Sequence, residues 1–147
     1  MQALGAHYKL DHSKPLDEEL TAQGNDEPGF VFSTTGTEGY LPAVTRLIAP
    51  QGRFGLIDDP DTLDIKPFKL KSVSTHWEMM YTRSMFQTAD IARQGEILAE
   101  VAGMIDAGTV KMTLTETLGN ITPENLTRAH ELLESGTARG KIVLEGF

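Results

Sequence analysis

Apolar and polar positions along this chain switch between two periods, and the switches mark its elements. Phe30-Val31-Phe32 is a dense apolar run closed by Ser33-Thr34-Thr35-Gly36. Both faces of that run are apolar, which predicts a strand buried on two sides, as in a parallel sheet. Tyr40, Leu41, Val44, Leu47 and Ile48 then recur at helical spacing as far as Pro50-Gln51-Gly52. Residues 53–57 read as the next apolar strand, closed by Asp58-Asp59-Pro60, and residues 73–78 as another β-rich run. The longest helical pattern is expected to start at Thr88-Ala89-Asp90. It carries Ile91, Ile97, Leu98, Val101, Met104 and Ile105 and ends at Gly108.

Residues 112–118 alternate in the manner of a strand. Thr122-Pro123-Glu124 is a helix start, with Thr122 as cap, Pro123 at the first position and Glu124 suited to the dipole. Residues 141–144 form a last strand candidate. Earlier in the chain, residues 8–11 are a weakly apolar strand candidate. Residues 16–23 suit one or two helical turns, entered through Ser13-Lys14-Pro15. Strand, helix, strand, helix, strand predicts an α/β sheet. The break near residues 79–90 suggests two domains, 1–87 and 88–147.

Composition narrows the chemistry. The 147 residues suit one domain, or one domain plus an appendage. There is no cysteine, so disulfides, thiolate catalysis and cysteine-ligated zinc are excluded. A net charge of -8 repels phosphate backbones and argues against nucleic acid. No apolar run reaches the roughly 20 residues of a membrane span, and the first residues do not look like a signal peptide. A cytoplasmic protein is expected. His7, His12, His76 and His130 show no HxH or HExxH spacing, so no metal site is expected. His130 falls on the apolar stripe of its helix and is expected to be partly buried.

Several stretches, taken in order, resemble a known family. Leu4-Gly5-Ala6-His7 followed by Leu10-Asp11-His12-Ser13 looks like the approach to a third Rossmann strand. Phe30 to Gly36 looks like the fourth strand, Leu47-Ile48-Ala49-Pro50-Gln51-Gly52-Arg53 like the approach to the fifth, and Lys71 to Glu78 like the sixth. His130 to Gly136 and Gly140 to Leu144 look like a closing helix and strand of the family's other domain. Together they resemble the C-terminal half of the medium-chain dehydrogenase/reductase superfamily, in its quinone oxidoreductase and zinc-type alcohol dehydrogenase-like branch. The resemblance implies a partial Rossmann-type parallel sheet, with strands 3–6 but not 1–2, plus the C-terminal part of the catalytic domain. In the strand order 3-2-1-4-5-6, that leaves the fourth strand with an open apolar edge. Residues 7–12 would then pair with residues 30–33, detach, or pair with another subunit.

The resemblance also implies a site. Strand C-termini face the cofactor crevice, so Ser33, Thr34, Thr35, Leu56, Ile57 and Asp58 would line the nicotinamide-ribose side, and His12 would lie near the adenine ribose. The implied cofactor is NADP, with no zinc. No catalytic residue is assigned, since Asp58-Asp59 in a proline-closed turn is ordinarily solvated and shows no orienting group. Trp77, Met79, Met80, Met85 and Phe86 suit a core or an interface better than a ligand wall. Val73, Ser74, Thr75, His76, Trp77 and Glu78 would form the edge of a homodimer.

The glycine cluster Gly36-Thr37-Glu38-Gly39 is not a GxGxxG turn. The pyrophosphate anchor that such a turn provides at a helix N-terminus is not found in this sequence. The expectation is therefore part of an NADP-dependent oxidoreductase that moves a hydride, weakly active or inactive alone. A separately encoded N-terminal half is one partner that would complete it. The alternative is a non-catalytic α/β dimerisation or binding module.

Overall fold

The computed structural model describes residues 2–24 and 27–146, in two compact units, Met1–Ile91 and Ala92–Phe147. In the first, β1 (Phe30–Ser33), β2 (Arg53–Leu56) and β3 (Ser74–Trp77) form an all-parallel sheet in the order β1-β2-β3. Helix α2 (Thr37–Leu47) joins β1 to β2, as a parallel pair requires. It starts three residues before the first apolar stripe residue, after Gly36 in the left-handed region at φ 62°. Its stripe buries Leu41, Val44 and the following Ile48 against Phe54, Leu56 and Phe68. Phe68 comes from a 3₁₀ turn over Lys66–Lys71 that the apolar pattern did not reveal.

Two polar ties hold the helices. Lys71 Nζ donates to the carbonyls of Arg46 and Ile48, each at 2.7 Å, and so satisfies acceptors at the C-terminal end of α2. Arg46 in the last turn of α2 bonds Asp17 of α1 (Leu16–Ala22) at 2.5 and 3.1 Å.

Residues 8–11 form no strand. They detach from the sheet: Gln23 Nε2 takes the Lys9 carbonyl, and the turn after them closes through Lys14 N to Asp11 O at 3.0 Å. The chain here folds back on α1, which satisfies backbone groups that a ladder would otherwise need. The expectation of a β1 strand buried on two sides also fails. Phe30 is 74% and Phe32 61% exposed, because α2 covers only the opposite face. A periodicity reports which residues share a face but not whether anything covers it.

Along the chain, a short α3 (Thr82–Phe86) follows β3. Thr88-Ala89-Asp90 is a turn rather than a helix start, with Thr88 Oγ1 donating to Asp90 at 2.7 Å. Helix α4 (Arg93–Asp106) starts later. In the second unit, β4 (Leu114–Asn120) and β5 (Lys141–Glu145) pair in parallel around α5 (Pro123–Glu134). Thr122 caps α5 as expected, its hydroxyl accepting from Asn125 N at 3.2 Å. Ala129 of α5 and Leu118 of β4 are both buried, but His130 is exposed. It lies one position, about 100° of helix, from Ala129, which turns it out of the buried face. No helix among the described residues is long and apolar enough to cross a membrane.

Candidate functional site

The C-terminal ends of β1 and β2 lie side by side, with Ser33 in register with Leu56. The structure therefore gathers Ser33, Thr34, Thr35, Leu56, Ile57 and Asp58 along one rim. Leu56 is fully buried in the core beneath it, whereas Thr34, Thr35 and Ile57 face outward. His12 lies elsewhere. Its turn is tied to Glu19 of α1 through the Asp11 amide at 3.4 Å. That helix is held at the last turn of α2, while the rim lies at its first turn. Nine positions along α2 separate Thr37 at the rim from Arg46 at that tie, roughly 13 Å at the α-helical rise.

The rim has a residue at its centre that spacing did not single out. Thr37 is 1% exposed. Its hydroxyl donates to Asp58 Oδ1 in a short contact, and its amide donates to Asp58 Oδ2 at 2.9 Å. Ser33 Oγ lies 2.7 Å from Thr37 Oγ1. Asp58 can only accept, so it takes the Thr37 proton and leaves Ser33 as the donor to Thr37. The hydroxyls thus run in one direction, Ser33 to Thr37 to Asp58. The signal in the sequence was Thr37 itself, a small hydroxyl between a left-handed glycine and the first apolar residues of a helix.

Asp58 also places a negative charge at the first turn of α2, where the helix dipole favours it. The Thr37 hydroxyl, then the Thr37 amide, hold the Asp58 carboxyl below the usual carboxylate range. A depressed folded-state pKa contributes stability that is present above the unfolded value and lost as pH falls through the folded one. Acid unfolding of an Asp58→Asn variant should consequently show a shallower loss of stability below about pH 4, read from urea midpoints across pH 2–6. Thr37→Val, which keeps shape but removes both hydroxyl contacts, should cost about 1–2 kcal/mol at neutral pH. Thr37→Ser should recover most of that.

Comparison with known proteins identifies the frame in which this rim sits. The model of the zinc-binding dehydrogenase family matches residues 4–144. The chain belongs to that family. A zinc-type alcohol dehydrogenase-like protein of Staphylococcus aureus (strain COL) is 31% identical over 97% of this chain and 43% of its own length. A crystal structure from Rhizobium etli CFN 42, assigned to the zinc-dependent alcohol dehydrogenases, is 53% identical. It superposes with a TM-score of 0.89 over 99% of this chain and 43% of that one. CurA from Vibrio vulnificus, solved in complex with NADPH, is 18% identical with a TM-score of 0.68 over 97% of this chain and 44% of that one, which shows the fold alone. This chain spans about two-fifths of the length of the relatives it matches. Its architecture corresponds to their C-terminal, Rossmann-like part, and the family is one of NAD(P)-dependent oxidoreductases. Among the described residues no three or more His, Cys, Asp or Glu are grouped to hold a metal ion. The described residues therefore offer no ligand set for the zinc of the family's name.

Proposed function

We propose that this chain is part of an NADP-dependent oxidoreductase of the alcohol dehydrogenase or quinone and enone reductase type, and that alone it is weakly active or inactive. The observation that carries the reading is the rim at the C-terminal ends of β1 and β2 in a chain of this family, the end of a parallel sheet where ligands bind. A neighbour of the same fold is solved with NADPH. When bound, the nicotinamide supplies or accepts the hydride. The chain's own part is positional. Ser33, Thr34 and Thr35 offer hydroxyls and backbone groups to the ribose side. Ile57 offers an apolar contact. Asp58 is already engaged with Thr37, so its role is to hold the β1–α2 loop rather than to move a proton.

The reading is tested by titrating the isotope-labelled chain with NADPH and, separately, NADH while following amide resonances. Shifts confined to residues 33–37 and 56–58, with binding weaker than micromolar, are expected. Millimolar cofactor that leaves these amides unmoved would refute the cofactor role given to the rim in the chain alone.

The alternative of a non-catalytic α/β dimerisation module has one observation in its favour. Strand β3 is one of the two outer strands of its sheet, and Trp77 at its end is 59% exposed. A homodimer through Val73, Ser74, Thr75, His76, Trp77 and Glu78 would extend the sheet across a two-fold axis. Light scattering after size exclusion should then give twice the chain mass at micromolar concentration, and a monomer there removes the dimer.

A further inference from the structure

We infer that Asp58, acting through Thr37, fixes where the Ser33 hydroxyl gives its proton, and so makes the rim select a hydrogen-bond donor on its ligand. That donor is a ribose hydroxyl or the carboxamide NH2 of the nicotinamide riboside, and phosphate oxygens are refused. The inference rests on the cofactor reading above. It makes Ser33 the specificity-determining residue and Thr37 and Asp58 positioning residues.

The polarity follows from counting protons. A hydroxyl has one proton to give, and an ionised carboxylate has none. Thr37 gives its hydroxyl proton to Asp58 Oδ1 and its amide proton to Asp58 Oδ2, the latter at 2.9 Å. Ser33 Oγ, 2.7 Å from Thr37 Oγ1, must then give its own proton to Thr37. Toward anything else Ser33 Oγ offers lone pairs only. Thr37 is 1% exposed, which shields the middle of the chain, whereas Ser33 at the end of β1 is half-buried and still open to a ligand. A row of hydroxyls that ends on a carboxylate polarises each member, so Ser33 Oγ is a stronger acceptor than a free serine.

The same contacts exclude an anion. A helix N-terminus behind a glycine ordinarily takes one. Here the Thr37 amide, the first of α2, is already bound to the carboxylate of Asp58. Glu38, Asp59 and Asp61 line the same mouth, and their charges oppose a further anion at short range. A nicotinamide riboside meets both conditions, since its ribose hydroxyls and carboxamide NH2 are donors and it carries no negative charge.

The test titrates the isotope-labelled chain with four probes while following amide resonances. They are NADPH, its 3-acetylpyridine analogue (a methyl ketone in place of the carboxamide), and analogues lacking the 2′- or the 3′-hydroxyl of the nicotinamide ribose. At least one analogue should bind about five-fold more weakly than NADPH, and its identity names the donor. Ser33→Ala should erase that difference. Asp58→Asn should erase it too, for a reason that geometry dictates. The Thr37 amide needs the Asn oxygen, which leaves the Asn NH2 facing Thr37 Oγ1 as a donor. Thr37 then gives its proton to Ser33, and Ser33 gives its own outward. Inorganic phosphate should accordingly move the Ser33 amide in Asp58→Asn, but not in the unaltered chain or in Asp58→Asn with Ser33→Ala. Thr37→Val should lose the preference and Thr37→Ser should keep it. If Asp58→Asn and Thr37→Val weaken NADPH and every analogue by one common factor, the chain of hydroxyls only holds the loop and the inference is overturned. If NADPH binds and no analogue differs from it, or Ser33→Ala leaves the difference in place, Ser33 is not the selector and the proposed function stands without it. If NADPH moves none of residues 33–37, the cofactor role of the rim falls and this inference falls with it.

Discussion

Replacing Phe54 by alanine is expected to remove about 3–5 kcal/mol of stability, the largest single loss available in the first unit. Phe54 is fully buried, and its ring meets Phe68 edge-on with centroids 5.3 Å apart. That pairing adds roughly 0.5–1.5 kcal/mol to the burial. Among the described residues the buried part of the cluster is Leu41, Val44, Ile48, Phe54, Leu56 and Phe68. Its neighbours are fixed by the β2 ladder and by the 3₁₀ turn, so they cannot collapse into the space a phenyl ring leaves. A domain of this kind is stable by about 5–15 kcal/mol in total, and the variant should lie near the edge of folding. The urea midpoint for the first unit should fall steeply with little change in slope. Phe54→Leu should lose less than half as much. A Phe54→Ala loss below 1 kcal/mol would mean that the sheet–helix layer is not the core of this unit.

What the sequence revealed divides along a physical line. Features set by a few adjacent residues were legible. Thr122-Pro123-Glu124 started α5 where expected, and the apolar runs at residues 30–32, 53–57 and 141–144 became β1, β2 and β5 to within a residue at their ends. Features set by what lies across space were not. Phe30-Val31-Phe32 reads as a doubly buried strand, but burial requires a covering layer, and among the described residues of the first unit α2 supplies one on one side only. Residues 8–11 had enough apolar character for a strand but found side-chain partners on α1 before any ladder. Asp58-Asp59 read as a solvated turn, which suits Asp59. The partner that gives Asp58 its role is Thr37, 21 positions away. The rim itself was located through the resemblance, since strand ends can be counted from a fold but the hydroxyl chain through Thr37 could not.

The second large effect is expected at Gly140, at the start of β5. Its φ is +78°, and a Cβ there would come within 2.4 Å of the Thr113 carbonyl oxygen and 2.6 Å of Thr115 Cγ2. The carbonyl cannot move aside. It accepts the Lys141 amide at 2.7 Å beside the first β4–β5 rung, and the Thr115 hydroxyl is bound to the Arg139 carbonyl at 2.5 Å. Gly140→Ala should therefore incur the left-handed backbone cost of roughly 1–2 kcal/mol and an overpacking cost of about 1–3 kcal/mol, near 3 kcal/mol together. Gly136 separates the two contributions. Its φ of +67° is equally left-handed, but nothing lies within 4 Å of its added Cβ, so Gly136→Ala should incur the backbone part alone. Thermal and urea unfolding of both variants decides between them. If Gly140→Ala loses no more than Gly136→Ala, the close approach of β4 at Thr113 is not a constraint. If it loses about twice as much, the tight joint between Thr113 and Gly140 sets the register in which the parallel pair of the second unit starts.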